Sequence, residues 1–171
     1  MSARRDAEQE RFGAALPAEA QAESPRLDPE MIDDGAEGGI SPEAVVRGFF
    51  ETVFNAGDLD AVERFIAPDH VNHDPTAPQV PPGPAGVRIL AQHYREAFPD
   101  IEYTLEEIFS SEDRVAHRWR FTGTHRGEFM DIEPTGRQVE GSGIEINRID
   151  RGKIADSWAI SDADGLRKQL A

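Results

Sequence analysis

The sequence predicts an α+β domain from about Ser41 to the C-terminus, helices first and then an antiparallel sheet curled around a pocket. Three observations carry this. Apolar residues recur at helical spacing as far as Phe98. From Ile101 the period changes to two, as in strands. Tight turns such as Asp150-Arg151-Gly152-Lys153 separate the strand-like runs.

Each element has its own signal. Ser41-Pro42-Glu43 opens a helix: serine caps, proline takes the first position, and an acid complements the dipole. Val45, Val46, Phe49, Phe50, Val53 and Phe54 form its apolar stripe, and Asn55-Ala56-Gly57 stops it. Asp58 caps a short second helix that Pro68 ends, and Asp69–Pro75 reads as a loop. A third helix spans about Pro84–Phe98. Strands are expected over Ile101–Ser110, Val115–Thr124, Arg137–Ile149 and Ile154–Ile160. A last short helix starts at Asp162 or Asp164 and ends at Leu170. Helices followed by consecutive hairpin strands give a layer of helices on one sheet face.

Residues 1–40 read as a disordered acidic tail, separate from a domain over 41–171. They hold ten acids against four arginines, with Phe12 as their one aromatic. Such a segment buries too little apolar surface to offset its chain entropy.

Composition excludes several classes. The formal net charge of -15 repels phosphate backbones and anionic lipid, so neither nucleic acid nor a membrane surface is an expected partner. There is no cysteine, which rules out disulfides, thiol catalysis and cysteine–metal sites and fits a cytoplasmic protein. No apolar run reaches the ~18 residues that a bilayer-spanning helix needs. No phosphate-cradling glycine loop and no Gly-x-Ser-x-Gly elbow is present.

Several phrases together resemble the SnoaL-like polyketide (ester) cyclase family of the NTF2-like superfamily. They are Phe65-Ile66-Ala67-Pro68-Asp69-His70-Val71-Asn72-His73-Asp74-Pro75, Gly123-Thr124-His125-Arg126-Gly127-Glu128-Phe129, Pro134-Thr135-Gly136-Arg137, Gly143-Ile144-Glu145-Ile146, and Gly152-Lys153-Ile154 before Trp158. Asp164-Gly165-Leu166 through Gln169-Leu170 also fits. The resemblance covers about Ser41 to Ala171. It implies a cone-shaped α+β fold: a curved antiparallel or mixed sheet with about three N-terminal helices on its concave face. It further implies a homodimer and general acid–base ring closure on a polyketide-like ester, with no cofactor and no metal. The family's acidic residue, commonly aspartate, falls at Glu145, which keeps the carboxylate on a longer arm.

Alternation puts Glu145 on the face opposite Ile144 and Ile146, shared with Asn147. If that face looks into the cone, desolvation tunes Glu145 as an acid or base; if not, it is sheet surface or a dimer contact. His70 and His73 have metal-ligand spacing but lack a third ligand. They read first as loop-satisfying side chains, then as pocket groups, with His73 the proton carrier. His117, Trp119 and Phe121 share a strand face and are substrate-binding candidates together with His70 and Trp158. His125, at a Gly-Thr-His corner, and Asp162, beyond the last strand, join Glu145 and His73 as catalytic candidates. The structural alternatives are a turn residue for His125, a helix cap for Asp162 and a core wall for Trp158.

Two function classes remain. One is an enzyme acting on a small apolar carbonyl compound by cyclisation, or by isomerisation or epoxide hydrolysis in the same cone. The other is an NTF2-like module that binds a small molecule or dimerises without chemistry. Lys153 and Lys168 are the only lysines, and low lysine with excess carboxylate suits high salt, where screening removes self-repulsion. A halophilic origin therefore predicts a Tm that rises steeply with salt; full stability at low ionic strength would sink it.

Overall fold

The computed structural model describes residues 40–75, 77 and 79–171, so the tail expected over 1–40 lies, apart from Ile40, outside the described residues. The first helix, α1 (Pro42–Phe49), is capped as expected: the Ser41 hydroxyl accepts from the Ala44 N–H at 3.2 Å. It buries Val45, Val46 and Phe49. It does not continue as a regular helix. Over Phe50–Asn55 it widens into a π turn, closed by Ala56 N–H to Glu51 C=O at 2.9 Å. The wider turn gathers Phe49, Phe50 and Phe54 with ring centroids 5.4–5.6 Å apart. It also aims Asn55 at the sheet, where its amide bonds both backbone groups of Tyr103, at 3.0 and 2.7 Å.

Asp58 caps a 3-10 turn (Leu59–Ala61) that runs into α2 (Val62–Phe65). Here the sequence reading needs correction. The stretch expected to finish a helix and become a loop is instead strand β1 (Ile66–Asn72), at one edge of the sheet and parallel to the last strand. Pro68, where the sequence predicts a helix stop, sits in a bulge. Ile66 pairs with Ile154, and pairing resumes only at Val71 with Asp156. Proline is tolerated there because an edge strand at a bulge has no ladder bond for the missing N–H.

Helix α3 (Pro84–Ala97) follows, burying Val87, Ala91 and Ala97. Then come β2 (Glu102–Ser111), β3 (Arg114–Thr124), β4 (Gln138–Asp150) and β5 (Lys153–Ser161), within a residue of the expected strands. They form an antiparallel meander, and the whole sheet runs β1-β5-β4-β3-β2. Helix α4 (Ala163–Leu170) closes the chain and buries Leu166 and Leu170.

The inner face of the sheet packs on the helices through Tyr103, Val115, Trp119, Phe121 and Val139. Two glycines on β4 make this possible. Gly141 pairs with Phe121 and Gly143 with Trp119. A Cβ at Gly141 would lie 2.2 Å from the Phe121 ring, and one at Gly143 would lie 2.4 Å from the Trp119 ring. The outer face leaves Phe109, Ile144 and Ile160 exposed.

Gly141→Ala is expected to cost about 1–3 kcal/mol by overpacking against Phe121, read as a lower denaturant midpoint at unchanged slope. An unchanged midpoint would mean that the ring can move aside.

Candidate active site

Register decides which groups meet. His117 on β3 pairs with Glu145 on β4, and Asn147 on β4 pairs with both Val115 on β3 and Ser157 on β5. His117 and Asn147 are each 1% exposed, so their face is the inner one, while Ile144 and Ile146 are exposed on the other. Glu145 therefore points inward, with 15% of its side chain accessible.

Asn147 is the hub of a polar cluster on this face. Its Nδ2 donates to Glu145 Oε1 at 2.7 Å and to Ser157 Oγ at 2.9 Å. Its Oδ1 lies 3.0 Å from His117 Nε2. Glu145 Oε2 is 4.0 Å from the same His117 nitrogen. Ser157 Oγ in turn lies 3.1 Å from Nε2 of His70 on β1. The network thus crosses four strands. Burial pushes the His70 imidazole pKa down, against the opposing pull of Asp156, so the ring is neutral at pH 7.

Aromatic groups close around it. Phe50 meets His117 edge-on at 5.3 Å, and Tyr103 lies 5.7 Å from Trp119. Burial holds the Tyr103 phenol well above its ordinary pKa, with Tyr94 and Glu145 adding to the effect. Burial, helped by Asp74, pushes Tyr94 up to about 12. Both phenols are protonated donors at neutral pH. His117 Nδ1 and Trp119 Nε1 are buried, with no hydrogen-bond partner among the described residues.

The expected site residues divide. Glu145, His117, Trp119, Phe121 and His70 share the inner face. His73 and Trp158 do not. Trp158 pairs with Ile146 on the outer face, because alternation along β5 gives the inward place to Ser157. His73 stacks on Trp158 at 4.6 Å and bonds Asp156 at 2.8 Å. Burial raises the pKa of Asp156, but the His73 and Arg148 hydrogen bonds outweigh it and hold the carboxyl below the ordinary range. His70 and His73 thus point to different partners, and among the described residues no group of three or more His, Asp or Glu could hold a metal ion.

His125 and Asp162 have partners other than Glu145. His125 is fully buried just past the end of β3, eight residues beyond His117, or roughly 26 Å of extended strand. Its Nδ1 accepts from the Thr135 N–H at 3.2 Å, and its backbone bonds Arg137 and Gly136. It fastens the Pro134-Thr135-Gly136 segment to the Gly-Thr-His corner. Asp162 caps α4, accepting from the Gly165 N–H at 2.8 Å.

The sequence reading did not single out Asn147, Ser157, Tyr103 or Tyr94 as site residues. Asn147 had a signal, its shared parity with Glu145. Ser157 and the tyrosines become neighbours only through register and helix packing. A separate open groove of about 600 Å³, lined by Glu51, Asn55, Arg95, Asp100 and Tyr103 among others, includes neither Glu145 nor Asn147. Its polar groups are already committed: Asn55 to Tyr103, Arg95 to the Phe54 carbonyl and Asp100 to Thr124.

A mixed five-stranded open sheet with helices on its inner face places the chain in the NTF2-like α+β class. The family model for SnoaL-like polyketide cyclase matches residues 44–170, and the chain belongs to that family. Among characterised relatives it is similar to the nogalonic acid methyl ester cyclase of Streptomyces nogalater, with 29% identity over 70% of this chain and 90% of the relative. It is also similar to the aklanonic acid methyl ester cyclase AcmA of Streptomyces galilaeus, with 31% identity over 74% and 88%. Among solved structures, IdmH from Streptomyces antibioticus superposes with a TM-score of 0.67 at 37% identity, covering 77% of this chain and 99% of that one. TsrD from Streptomyces laurentii shares the fold, with a TM-score of 0.71 at 24% identity over 79% and 98%. Among the described residues no helix is long and apolar enough to cross a membrane.

Proposed function

We propose that this chain is an ester cyclase-type enzyme that closes a ring on a polyketide-like ester by general acid–base catalysis, with Glu145 as the base. The observation that carries the reading is the placement of Glu145. It is an inward carboxylate with partial access, one oxygen held by Asn147 and the other 4.0 Å from His117 Nε2. The relatives that are methyl ester cyclases support the substrate class.

The chemistry suits these groups. Glu145 takes a proton from the carbon next to the ester carbonyl. The resulting enolate carbon adds to a ketone in the same molecule, so one C–C bond forms and the C=O electron pair moves to oxygen. That oxygen receives the proton back from the Glu145 carboxylic acid. The net change is an isomerisation, which consumes no oxidant, reductant or cofactor. The protonated Tyr103 and Tyr94 phenols are the donors in this reading for oxygen that gains charge. His70, His117, Trp119 and Phe121 line the binding face. In this reading His73, His125 and Asp162 have structural roles, bonded to Asp156, the Thr135 segment and the α4 N-terminus.

The same reading includes a homodimer through the outer sheet face. Ile144 beside Ile160, and Ile146 beside Trp158, form apolar rows there, with Phe109 exposed two strands from Ile146, across Ala116. Arg118 and Arg120, paired with Glu106, Glu107 and Glu140, border the rows.

Glu145→Gln is expected to abolish turnover of aklanonic acid methyl ester while leaving the Tm near wild type; an unchanged rate removes Glu145 from the mechanism. Ile160→Glu is expected to sediment as a monomer where the wild type sediments as a dimer, and a monomeric wild type would overturn the interface.

A further inference from the structure

We propose that Asn147 is a positioning residue for this reaction: its single amide selects the Glu145 oxygen that takes the proton and the tautomer that His117 holds. The inference rests on the cyclase reading above and assigns a role within it.

The amide has one workable orientation. Nδ2 has two protons, and both are used, on Glu145 Oε1 at 2.7 Å and Ser157 Oγ at 2.9 Å. Flipping the amide would set Oδ1 against the carboxylate oxygen, two acceptors with no proton between them. Asn147 is 1% exposed, so water cannot compensate for a wrong orientation. Oδ1 must then accept, and what it accepts is the proton of His117 Nε2, 3.0 Å away. In the neutral ring this leaves the Nδ1 lone pair facing the interior, where it is buried and has no partner among the described residues.

Two consequences follow for the chemistry. Oε1 of Glu145 is committed to Asn147, so Oε2 is the oxygen left to accept a substrate proton. The His117 proton nearest Oε2 is committed to Asn147 Oδ1, so the imidazole does not protonate the base in advance. A plain asparagine achieves this because it donates and accepts in one plane and does not titrate. The titratable groups around the pair are His117 from β3, Tyr103 from β2, His70 from β1 through Ser157, and Tyr94 from α3, with Asp74 acting on Tyr94.

Asn147→Asp separates positioning from mere packing. It keeps the side chain's size and its acceptor for His117, but replaces the two donors with a carboxylate facing Glu145. Two carboxylates in contact resist joint ionisation, so the acid limb of the kcat profile should move up by about one pH unit or more. With the base misaligned, kcat for aklanonic acid methyl ester should fall on the order of 10²-fold at little change in KM. A residue that only fills space would change Tm and leave the profile in place. Imidazole ¹⁵N spectra of the full wild-type chain, assigned with His117→Gln, give a readout independent of turnover and of the variant's folding. In its neutral form His117 should show the Nε2–H tautomer that the Asn147 contact selects; the Nδ1–H tautomer overturns the inference. Wild-type turnover with an unchanged Asn147→Asp profile overturns the positioning role alone. No turnover by the wild type overturns the cyclase reading and the positioning role with it.

Discussion

The unbroken register between β3 and β4 is the constraint on which the rest of the molecule depends. It runs from Arg114 opposite Arg148 to Thr124 opposite Gln138 with no bulge, whereas every other strand pair in the sheet has a shift. A slip of one residue would turn Glu145 and Asn147 to the outer face and bring Ile144 and Ile146 inward. The glycines resist such a slip. Phe121 and Trp119 occupy the space that side chains at 141 and 143 would fill, so a slipped strand would drive Ser142 and Ile144 into those rings. The two missing side chains therefore fix the position of a carboxylate two residues further on.

Much of this was legible in the sequence, and the reason differs by element. The meander was clear because β2–β5 carry alternating patterns and turn residues, each a local signal. The first helix was clear from its cap and stripe. Its π turn was not, because the extra residue answers to Tyr103, which lies far along the chain. Strand β1 was hidden by Pro68 and by its dependence on β5: an edge strand that pairs parallel with the last strand has no nearby partner to reveal it.

Strand β1 also decides how the histidine pair is disposed. In a loop, His70 and His73 can converge; from a strand, an odd spacing sends side chains to opposite faces, and their partners Ser157 and Asp156 are adjacent residues of β5 that alternate likewise. Trp158 follows from that alternation. For Glu145, periodicity identified its companions but not its side of the sheet, and the buried β3 partner His117 supplied the answer. The Gly-Thr-His and Pro-Thr-Gly phrases carried the family resemblance, yet the bonds between them secure a connection. A sequence signature can record what holds a site in place as readily as what reacts in it.

The π turn has a consequence for the sheet's exposed margin. Strand β2 is an edge, and an edge offers unpaired N–H and C=O groups to any passing strand. At Tyr103 the Asn55 amide occupies both groups at once, as a neighbouring strand would. One side chain thus acts as a one-residue surrogate strand. In a protein whose opposite edge is interrupted by Pro68, that blocks one route by which the sheet could be extended by a second chain.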